Sequence, residues 1–259
     1  MEDIKEITSA AREILKARSV FVLSGAGLSS PSGLQTFRGT GGYWKNLSVE
    51  DLASRSRFEI DPETTWTWYN ERITAYLLAE PNAGHRALVD MESLIQRFHH
   101  ATQLVDGLLE RAGAVRFTEL HGSVFTVTCT GCEHTSRLEG PIDLDHIEHA
   151  CKRGRLRPGV VWFGENLPRQ AWEIADKASL EAEVIIVVGT AHAVWPASQL
   201  AQRRQNTRII IEVNTQPTIK NANFTFDGGA DITLHEITKA IKTIKNKSYK
   251  SEDTKSNTL

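Results

Sequence analysis

A glycine-rich turn near the amino terminus has the composition of an anion-binding loop. Gly-Ala-Gly at residues 25–27 follows an apolar run, Ser19–Ser24, which is typical of a buried parallel strand. Glycines after such a strand let the backbone turn tightly, so that peptide N–H groups and a helix N-terminus can bind a pyrophosphate. Phe37 and Arg38 then add an aromatic ring and a cation. Because the spacing is not G-x-G-x-x-G, an ordinary glycine turn is the alternative for this segment alone.

His121 is a candidate general base. It follows the predicted strand 115–120 and precedes Gly122 and Ser123. An unperturbed imidazole has a pKa of about 6.5, which suits proton transfer near neutral pH. The chain contains nine histidines, so this placement taken alone carries little weight.

The cysteines indicate metal or redox chemistry. The chain has three cysteines, which make a poor disulfide framework, and two of them stand as Cys129-x-x-Cys132. Residues 124–157 are rich in turn residues and alternating charge. We expect this segment to form a small inserted module that is stabilised by a metal.

Composition describes an ordinary globular chain. The 259 residues are 40% hydrophobic and 24% charged, with a net charge of -2, which gives no overall field for nucleic acid or membrane. No apolar run reaches the roughly 18 residues that span a bilayer. The acidic start has no signal-peptide or transit pattern. We expect an intracellular monomer. The cytoplasm is the preferred location, and the nucleus and the mitochondrion are the alternatives.

Strands alternate with helices along most of the chain. Further buried strands are predicted at residues 184–190 and 208–214. This order predicts an α/β fold with a Rossmann-like, doubly wound parallel sheet, in which ligands lie over the carboxyl ends of the strands. The turn at 25–27, Gly189 with Thr190, and Asn214 all follow predicted strands, so they are expected to meet at one dinucleotide.

Two insertions interrupt this pattern. We predict a discontinuous large domain over residues 1–40, 81–123 and 158–244. A helical insertion, 41–80, and a zinc-binding insertion, 124–157, would form the small domain. A polar tail, 245–259, is expected to be disordered.

The combination of motifs resembles the sirtuins, the NAD-dependent protein-lysine deacylases. The resemblance covers roughly residues 10–240. The motifs that carry it, in sirtuin order, are residues 25–39, Thr102-Gln103 with Asp106, Arg111-Ala-Gly113, His121-Gly122, Cys129-x-x-Cys132, Leu156-Arg157-Pro158, Val161-Trp-Phe-Gly-Glu165, Gly189-Thr190 and Asn214.

This resemblance implies a reaction and a set of site residues. The acyl oxygen of an acylated lysine on a protein attacks C1′ of the nicotinamide ribose, and His121 deprotonates a ribose hydroxyl. The products are lysine, nicotinamide and O-acyl-ADP-ribose. The implied NAD-binding residues are Gly25, Ala26, Gly27, Ser29, Thr36, Phe37, Arg38, Trp44, Gln103, Leu104, Asp106, His121, Gly189, Thr190, Ala191, Asn214, Thr215 and Ala230. The implied substrate-binding residues are Tyr69, Arg72, Val161, Trp162, Phe163, Gly164 and Glu165.

Tyr69 and Arg72 refine the expected substrate. They match the Tyr-x-x-Arg of class III sirtuins, which act on succinyl-, malonyl- and glutaryl-lysine, and they share one face if the insertion is helical. A carboxylate taken into a cleft costs several kcal/mol unless it is paired. A guanidinium and a phenol hydroxyl supply that pairing. An exposed surface arginine is the alternative on spacing alone.

The resemblance also implies zinc, with Cys129 and Cys132 as ligands. Only Cys151 stands where two further cysteines are expected. His146 is predicted to complete a tetrahedral site, with His149 and His134 as competitors. The alternative is weakened or absent zinc, with packing alone stabilising the insertion.

Three departures from the sirtuin pattern fall on the cofactor side. Leu104 replaces an asparagine that helps to place the ribose, Leu109 replaces a common histidine, and Ala191 replaces a serine. Leucine cannot hydrogen-bond, so the change at 104 is expected to lower the rate by roughly a hundredfold or more. An attenuated NAD or acyl-lysine binding module is therefore a second interpretation, and ADP-ribosyl transfer a third.

Overall fold

The computed structural model describes residues 2–35, 43–44, 47–132, 134–190, 195–202 and 208–256. Within these ranges the side chains of residues 2–3, 43–44, 202 and 248–256 are not described.

A six-stranded parallel sheet lies between two layers of helices. Its strands are β1 (Ser19–Ser24), β4 (Arg97–Thr102), β5 (Phe117–Glu119), β9 (Val184–Val188), β10 (Ile209–Asn214) and β11 (Phe224–Asp227). Their order is β11-β10-β9-β1-β4-β5. The order therefore reverses between β1 and β9, which is where a doubly wound sheet opens its ligand crevice. The predicted α/β fold class is confirmed.

Helices cover both faces of this sheet. Side chains alternate along β1, so that Val20 and Val22 pack on one layer and Phe21 and Leu23 on the other. The first layer contains α1 (Glu2–Lys16), α5 (Ala83–Leu94) and α9 (Ala230–Ser256); the second contains α7 (Arg169–Glu181) and α8 (Gln199–Gln202). The short α6 (Leu108–Arg111) follows β4.

The two predicted insertions share a separate hydrophobic cluster. An antiparallel sheet of β6 (Gly122–Cys129), β7 (Thr135–Arg137) and β8 (Leu156–Val160) packs with α2 (Val49–Leu52), α3 (Arg55–Ile60) and α4 (Pro62–Leu78). The short β2 (Tyr43–Trp44) pairs with β3 (Leu47–Ser48). The Asn70 side chain donates to Ile142 O at 2.8 Å and accepts from Ile142 N at 2.9 Å, which joins the two insertions. The division into domains stays a prediction.

The carboxyl-terminal helix differs from the expectation. Residues 245–256 continue α9, whereas the sequence predicts a disordered tail from 245. The Lys245 ammonium donates to Leu94 O at 3.1 Å, so the helix is still held against α5 where the tail was expected to begin. Among the described residues, no helix has both the length and the apolar composition that crossing a membrane requires.

Candidate active site

The glycine turn packs directly against the loop that follows the neighbouring strand. Gly25 N donates to Val188 O at 2.9 Å, and Gly27 N donates to Gly189 O at 2.8 Å. A Cβ on Gly27 would lie 2.6 Å from Gly189 Cα, so no larger residue fits without moving the backbone. The turn, which includes Ala26, thus sits at the point where the strand order reverses, as a dinucleotide-binding loop requires.

Ser29 lies in a buried hydrogen-bonded cluster behind this turn. Its hydroxyl donates to Asp106 Oδ2 at 2.6 Å, and His85 Nε2 lies 3.4 Å from the Ser29 Oγ. Burial raises the pKa of the Asp106 carboxyl, whereas the hydrogen bonds from Ser29 and from Leu108 N oppose that rise. Burial also lowers the pKa of His85 to about 4, so this imidazole is neutral near pH 7.

His85 is absent from the predicted site residues. The Asn82 amide donates to His85 Nδ1 at 3.3 Å, which leaves the hydrogen on Nε2, facing Ser29. Asn82 also caps α5, since its side chain accepts from Gly84 N and His85 N. The sequence signal that could have found this residue is an asparagine followed three residues later by a histidine at a helix start, since the two side chains form a capping box there.

The candidate base, His121, lies between the end of β5 and the start of β6. Its Nδ1 lies 3.1 Å from Gln103 O, so Nδ1 carries the hydrogen and Nε2 keeps a lone pair. Burial lowers the pKa of His121, and the hydrogen bond to Gln103 opposes the decrease. Gly122 has a φ of +70°, and a Cβ there would lie 2.1 Å from Gly159 O, which explains the glycine after the histidine.

Polar groups join the strand ends at this edge of the sheet. Gln103 Nε2 donates to Thr190 Oγ1 at 3.2 Å and to Ser24 O at 3.3 Å. Asn214 Nδ2 donates to Thr190 O at 3.0 Å. Three loops that follow β1, β4 and β9 are therefore brought together with the end of β10, as the sequence predicts.

The structure describes only some of the other predicted NAD-binding residues. Thr215 is exposed beyond β10, and Ala230 is buried at the start of α9. Thr36, Phe37, Arg38 and Ala191 lie outside the described residues, and of Trp44 only the backbone is described.

Leu104 and Tyr76 face a small cavity beside the glycine turn. Its lining also includes Ala26, Ser29 and Asp106. Leu104 is buried within the hydrophobic core, and its amide donates to Thr102 Oγ1 at 3.1 Å. An apolar side chain thus lines the cavity where the sirtuin pattern has an amide.

Helix α4 carries the residues predicted to read the acyl group. Tyr69 is buried, and its hydroxyl oxygen accepts from Trp162 Nε1 at 3.0 Å. The Arg72 guanidinium lies 4.3 Å from the centre of the Trp68 ring, and Nη1 donates to Tyr76 OH at 3.4 Å. Because Tyr76 also lines the cavity beside the turn, one helix face runs from the predicted acyl site to the NAD crevice.

Both ends of α4 are anchored. Asp61 caps the first turn by accepting from Thr64 N at 3.0 Å, and Pro62 occupies the first helical position. Arg111 Nη1 donates to Tyr76 O at 2.9 Å and to Ala79 O at 2.7 Å at the other end. These bonds satisfy helix carbonyls that lack partners within the helix.

The segment 161–165 borders His121 and Tyr69. Val161 N donates to His121 O at 2.9 Å. Phe163 is 51% exposed, whereas Trp162 is 2% exposed and lies behind Tyr69. Glu165 binds Arg157 through two contacts of 2.5 and 2.9 Å, and Gly164 has a φ of +84°. The predicted substrate residues are therefore contiguous, but the Trp162 side chain does not face solvent.

Four metal-ligating side chains converge in the zinc-binding insertion. The ligand atoms of Cys129, Cys132, His149 and Cys151 all lie within 4.8 Å of one another. Three thiols and one imidazole are a common donor set for tetrahedral zinc, so these residues fit the expected metal.

The predicted fourth ligand, His146, is corrected to His149. The His146 side chain is 79% exposed, and its Nδ1 lies 2.9 Å from Asp143 Oδ2. A tight turn brings His149 to the cluster instead: Lys152 N donates to His149 O at 2.9 Å, and Lys152 has a φ of 55°. His134 stacks on His149 at 4.5 Å but is not part of the cluster.

Comparison with known proteins gives the family. The Sir2 family profile matches residues 25–196. The chain belongs to the Sir2 family. A relative from Aquifex aeolicus named NAD-dependent protein deacylase is 40% identical over 85% of this chain and 93% of its own length. The predicted sirtuin is therefore confirmed.

Solved Sir2 structures have the same fold. A Sir2 homologue in complex with NAD has a TM-score of 0.86 at 34% identity, covering 91% of this chain and 94% of that one. A Sir2 protein with a p53 peptide and NAD+ has a TM-score of 0.74 at 28% identity, covering 89% and 96%. Within this Sir2 chain, Leu104 and Leu109 are both buried, so neither departure from the family pattern is a surface change.

Proposed function

We propose that this Sir2 family chain is an NAD-dependent protein-lysine deacylase that prefers acidic acyl groups: succinyl, malonyl or glutaryl. The observation that carries the preference is the placement of Tyr69 and Arg72 on one face of α4, three residues apart. Burial raises the pKa of the Tyr69 phenol well above its ordinary value, so it remains a hydrogen-bond donor. Its oxygen accepts from Trp162, which leaves the hydroxyl hydrogen for another acceptor.

Arg72 supplies the charge. Its guanidinium is half-buried against the Trp68 ring, where a cation is partly desolvated and binds a carboxylate more strongly than at an exposed site. An acetyl group has no carboxylate and gains nothing from this contact. The preference is therefore a difference in substrate binding of about 1.5–3 kcal/mol, the usual range for a hydrogen bond to a charged group.

His121 is the proposed general base. NAD would occupy the crevice between the loops after β1 and β9, where the glycine turn leaves no room for side chains. The substrate lysine would enter along segment 161–165, next to His121. Zinc would stabilise the small domain through Cys129, Cys132, His149 and Cys151. Acylated proteins are the proposed partners; the monomeric state and the intracellular location stay predictions.

Peptide kinetics test the acyl preference. We would measure kcat/KM with saturating NAD for one peptide sequence carrying succinyl-, malonyl-, glutaryl- or acetyl-lysine. At least one acidic acyl group is expected to exceed acetyl by about tenfold or more. Equal values, or a preference for acetyl, would contradict the assignment.

A binding module is the second candidate, and Leu104 favours it. This buried leucine provides no hydrogen bond where the sirtuin pattern has an asparagine. Saturable NAD binding without deacylation of any of the four peptides would support the binding module over the enzyme. Transfer of labelled ADP-ribose to protein would support the third interpretation.

A further inference from the structure

We propose that Trp162 is a positioning residue for acyl selectivity, because its indole N–H holds the Tyr69 hydroxyl in the orientation that reads the acyl carboxylate. This inference rests on the proposed function. Trp162 is 2% exposed, so it acts through Tyr69 rather than by contact with solvent-accessible substrate.

The hydrogen bond between these residues has a fixed direction. Trp162 Nε1 lies 3.0 Å from the Tyr69 oxygen. An indole nitrogen is a donor only, so Tyr69 accepts and cannot donate its own hydrogen to Trp162. The indole therefore occupies one lone pair and leaves the hydroxyl hydrogen directed elsewhere. A phenol restricted in this way loses less rotational freedom when it donates to a carboxylate.

The indole itself is held from several sides. The Arg157 guanidinium lies 3.5 Å from the centre of its ring, and the Phe58 ring lies at 5.3 Å. Trp162 N donates to Glu165 Oε2 at 2.9 Å, and Glu165 is bound in turn by Arg157. The direction of the indole N–H is thus set by the half-buried Arg157–Glu165 pair.

One neighbouring ring couples the two residues that read the carboxylate. The Trp68 ring meets Tyr69 edge-on at 4.6 Å, and it also carries the Arg72 guanidinium at 4.3 Å. Trp68 fixes the positions of both side chains, whereas Trp162 is the one of these two tryptophans that bonds to the Tyr69 hydroxyl. The indole N–H of Trp162 is therefore the contact whose loss should affect acidic acyl groups selectively.

Trp162→Phe removes the N–H and keeps an aromatic ring. Trp66→Phe is the matched control: Trp66 lies in the same cluster, and its Nε1 donates to Leu156 O at 2.8 Å rather than to Tyr69. The measured quantity is the ratio of kcat/KM for succinyl- to acetyl-lysine peptides. We expect Trp162→Phe to lower this ratio about three- to tenfold, chiefly through the KM of the succinyl peptide. Trp66→Phe should lower stability without lowering the ratio.

The double variant separates positioning from packing. In the Tyr69→Phe background, Trp162→Phe should lower the ratio no further, because the oxygen that it positions is gone. Equal additional losses in both backgrounds, or an unchanged ratio in Trp162→Phe alone, would overturn the inference. If Trp162→Phe does not fold, benzothienylalanine at position 162 replaces the N–H with sulfur at nearly the same shape and gives the same comparison.

The outcome also distinguishes this inference from the proposed function. If the wild-type protein prefers acetyl, or Tyr69→Phe leaves the ratio unchanged, the acyl assignment itself fails and the positioning role fails with it. If Tyr69→Phe lowers the ratio and Trp162→Phe does not, the acyl assignment stands and only the role of Trp162 is contradicted.

Discussion

The imidazole Nδ1 of His121 lies 3.1 Å from the backbone oxygen of Gln103, and the side chain of that same glutamine donates to Thr190. One residue therefore orients the candidate base and ties it to the loop after β9. Since Nδ1 must carry the hydrogen in this contact, the basic nitrogen is Nε2. The orientation of the base and the shape of the NAD crevice are thus set together.

The first prediction concerns the pH dependence of this base. Burial lowers the pKa of His121, and the neutral imidazole is the active form. The value of kcat/KM should therefore rise with pH to a plateau. The midpoint of this rise should lie below the ordinary histidine pKa of about 6.5. His121→Ala should lower the rate by about a hundredfold or more. The check is a profile between about pH 5 and pH 8; a midpoint above the ordinary value would contradict the assignment.

The second prediction concerns Arg72. Arg72→Met removes the cation and keeps an unbranched apolar chain, so kcat/KM for succinyl-lysine should fall by about ten- to a hundredfold. The loss for acetyl-lysine should be much smaller, because acetyl has no charge to pair. Arg169→Met is the matched control, since Arg169 is 91% exposed on α7. Equal losses for the two acyl groups would remove the carboxylate-reading role.

The third prediction concerns the metal. Elemental analysis should find about one zinc per chain, as a single tetrahedral site requires. His149→Ala should lower the zinc content and the melting temperature, whereas His146→Ala should change neither, since His146 is exposed and bonded to Asp143. Zinc loss in the His146 variant alone would identify His146, not His149, as the fourth ligand. A fully folded protein without zinc would show that packing alone stabilises the insertion.

The fourth prediction concerns Leu104. Leu104→Asn places an amide in the cavity beside Ser29 and Asp106, where it can hydrogen-bond to the cofactor. We expect kcat to rise by about a hundredfold, in line with the loss of one positioned polar contact in other enzymes. Stability should fall, because Leu104 belongs to the hydrophobic core. An unchanged kcat in a folded variant would show that no polar group is needed at this position.

Much of the site follows from local patterns in the sequence. The apolar strands and the small or polar residues after them predict a parallel sheet and the meeting of Gly189, Thr190 and Asn214 at one edge. This prediction succeeds because strand direction fixes which ends lie together. It needs no knowledge of side-chain conformation.

The contacts that depend on tertiary packing could not be predicted. The spacing in the sequence favours His146 as the fourth zinc ligand, whereas the position of His149 depends on a turn at Lys152, a non-glycine residue with positive φ. The bond between Tyr69 and Trp162 joins residues 93 apart in the sequence. The extension of α9 into residues 245–256 also runs against their polar composition.

Mass spectrometry of a succinyl-lysine peptide incubated with the protein tests the central claim most directly. The reaction would be run with and without NAD, beside an acetyl-lysine peptide and the His121→Tyr variant. We predict NAD-dependent loss of the succinyl group, formation of nicotinamide and O-succinyl-ADP-ribose, and no reaction in the variant. An unchanged succinyl peptide, from protein shown to bind NAD, would contradict the account and favour the binding module.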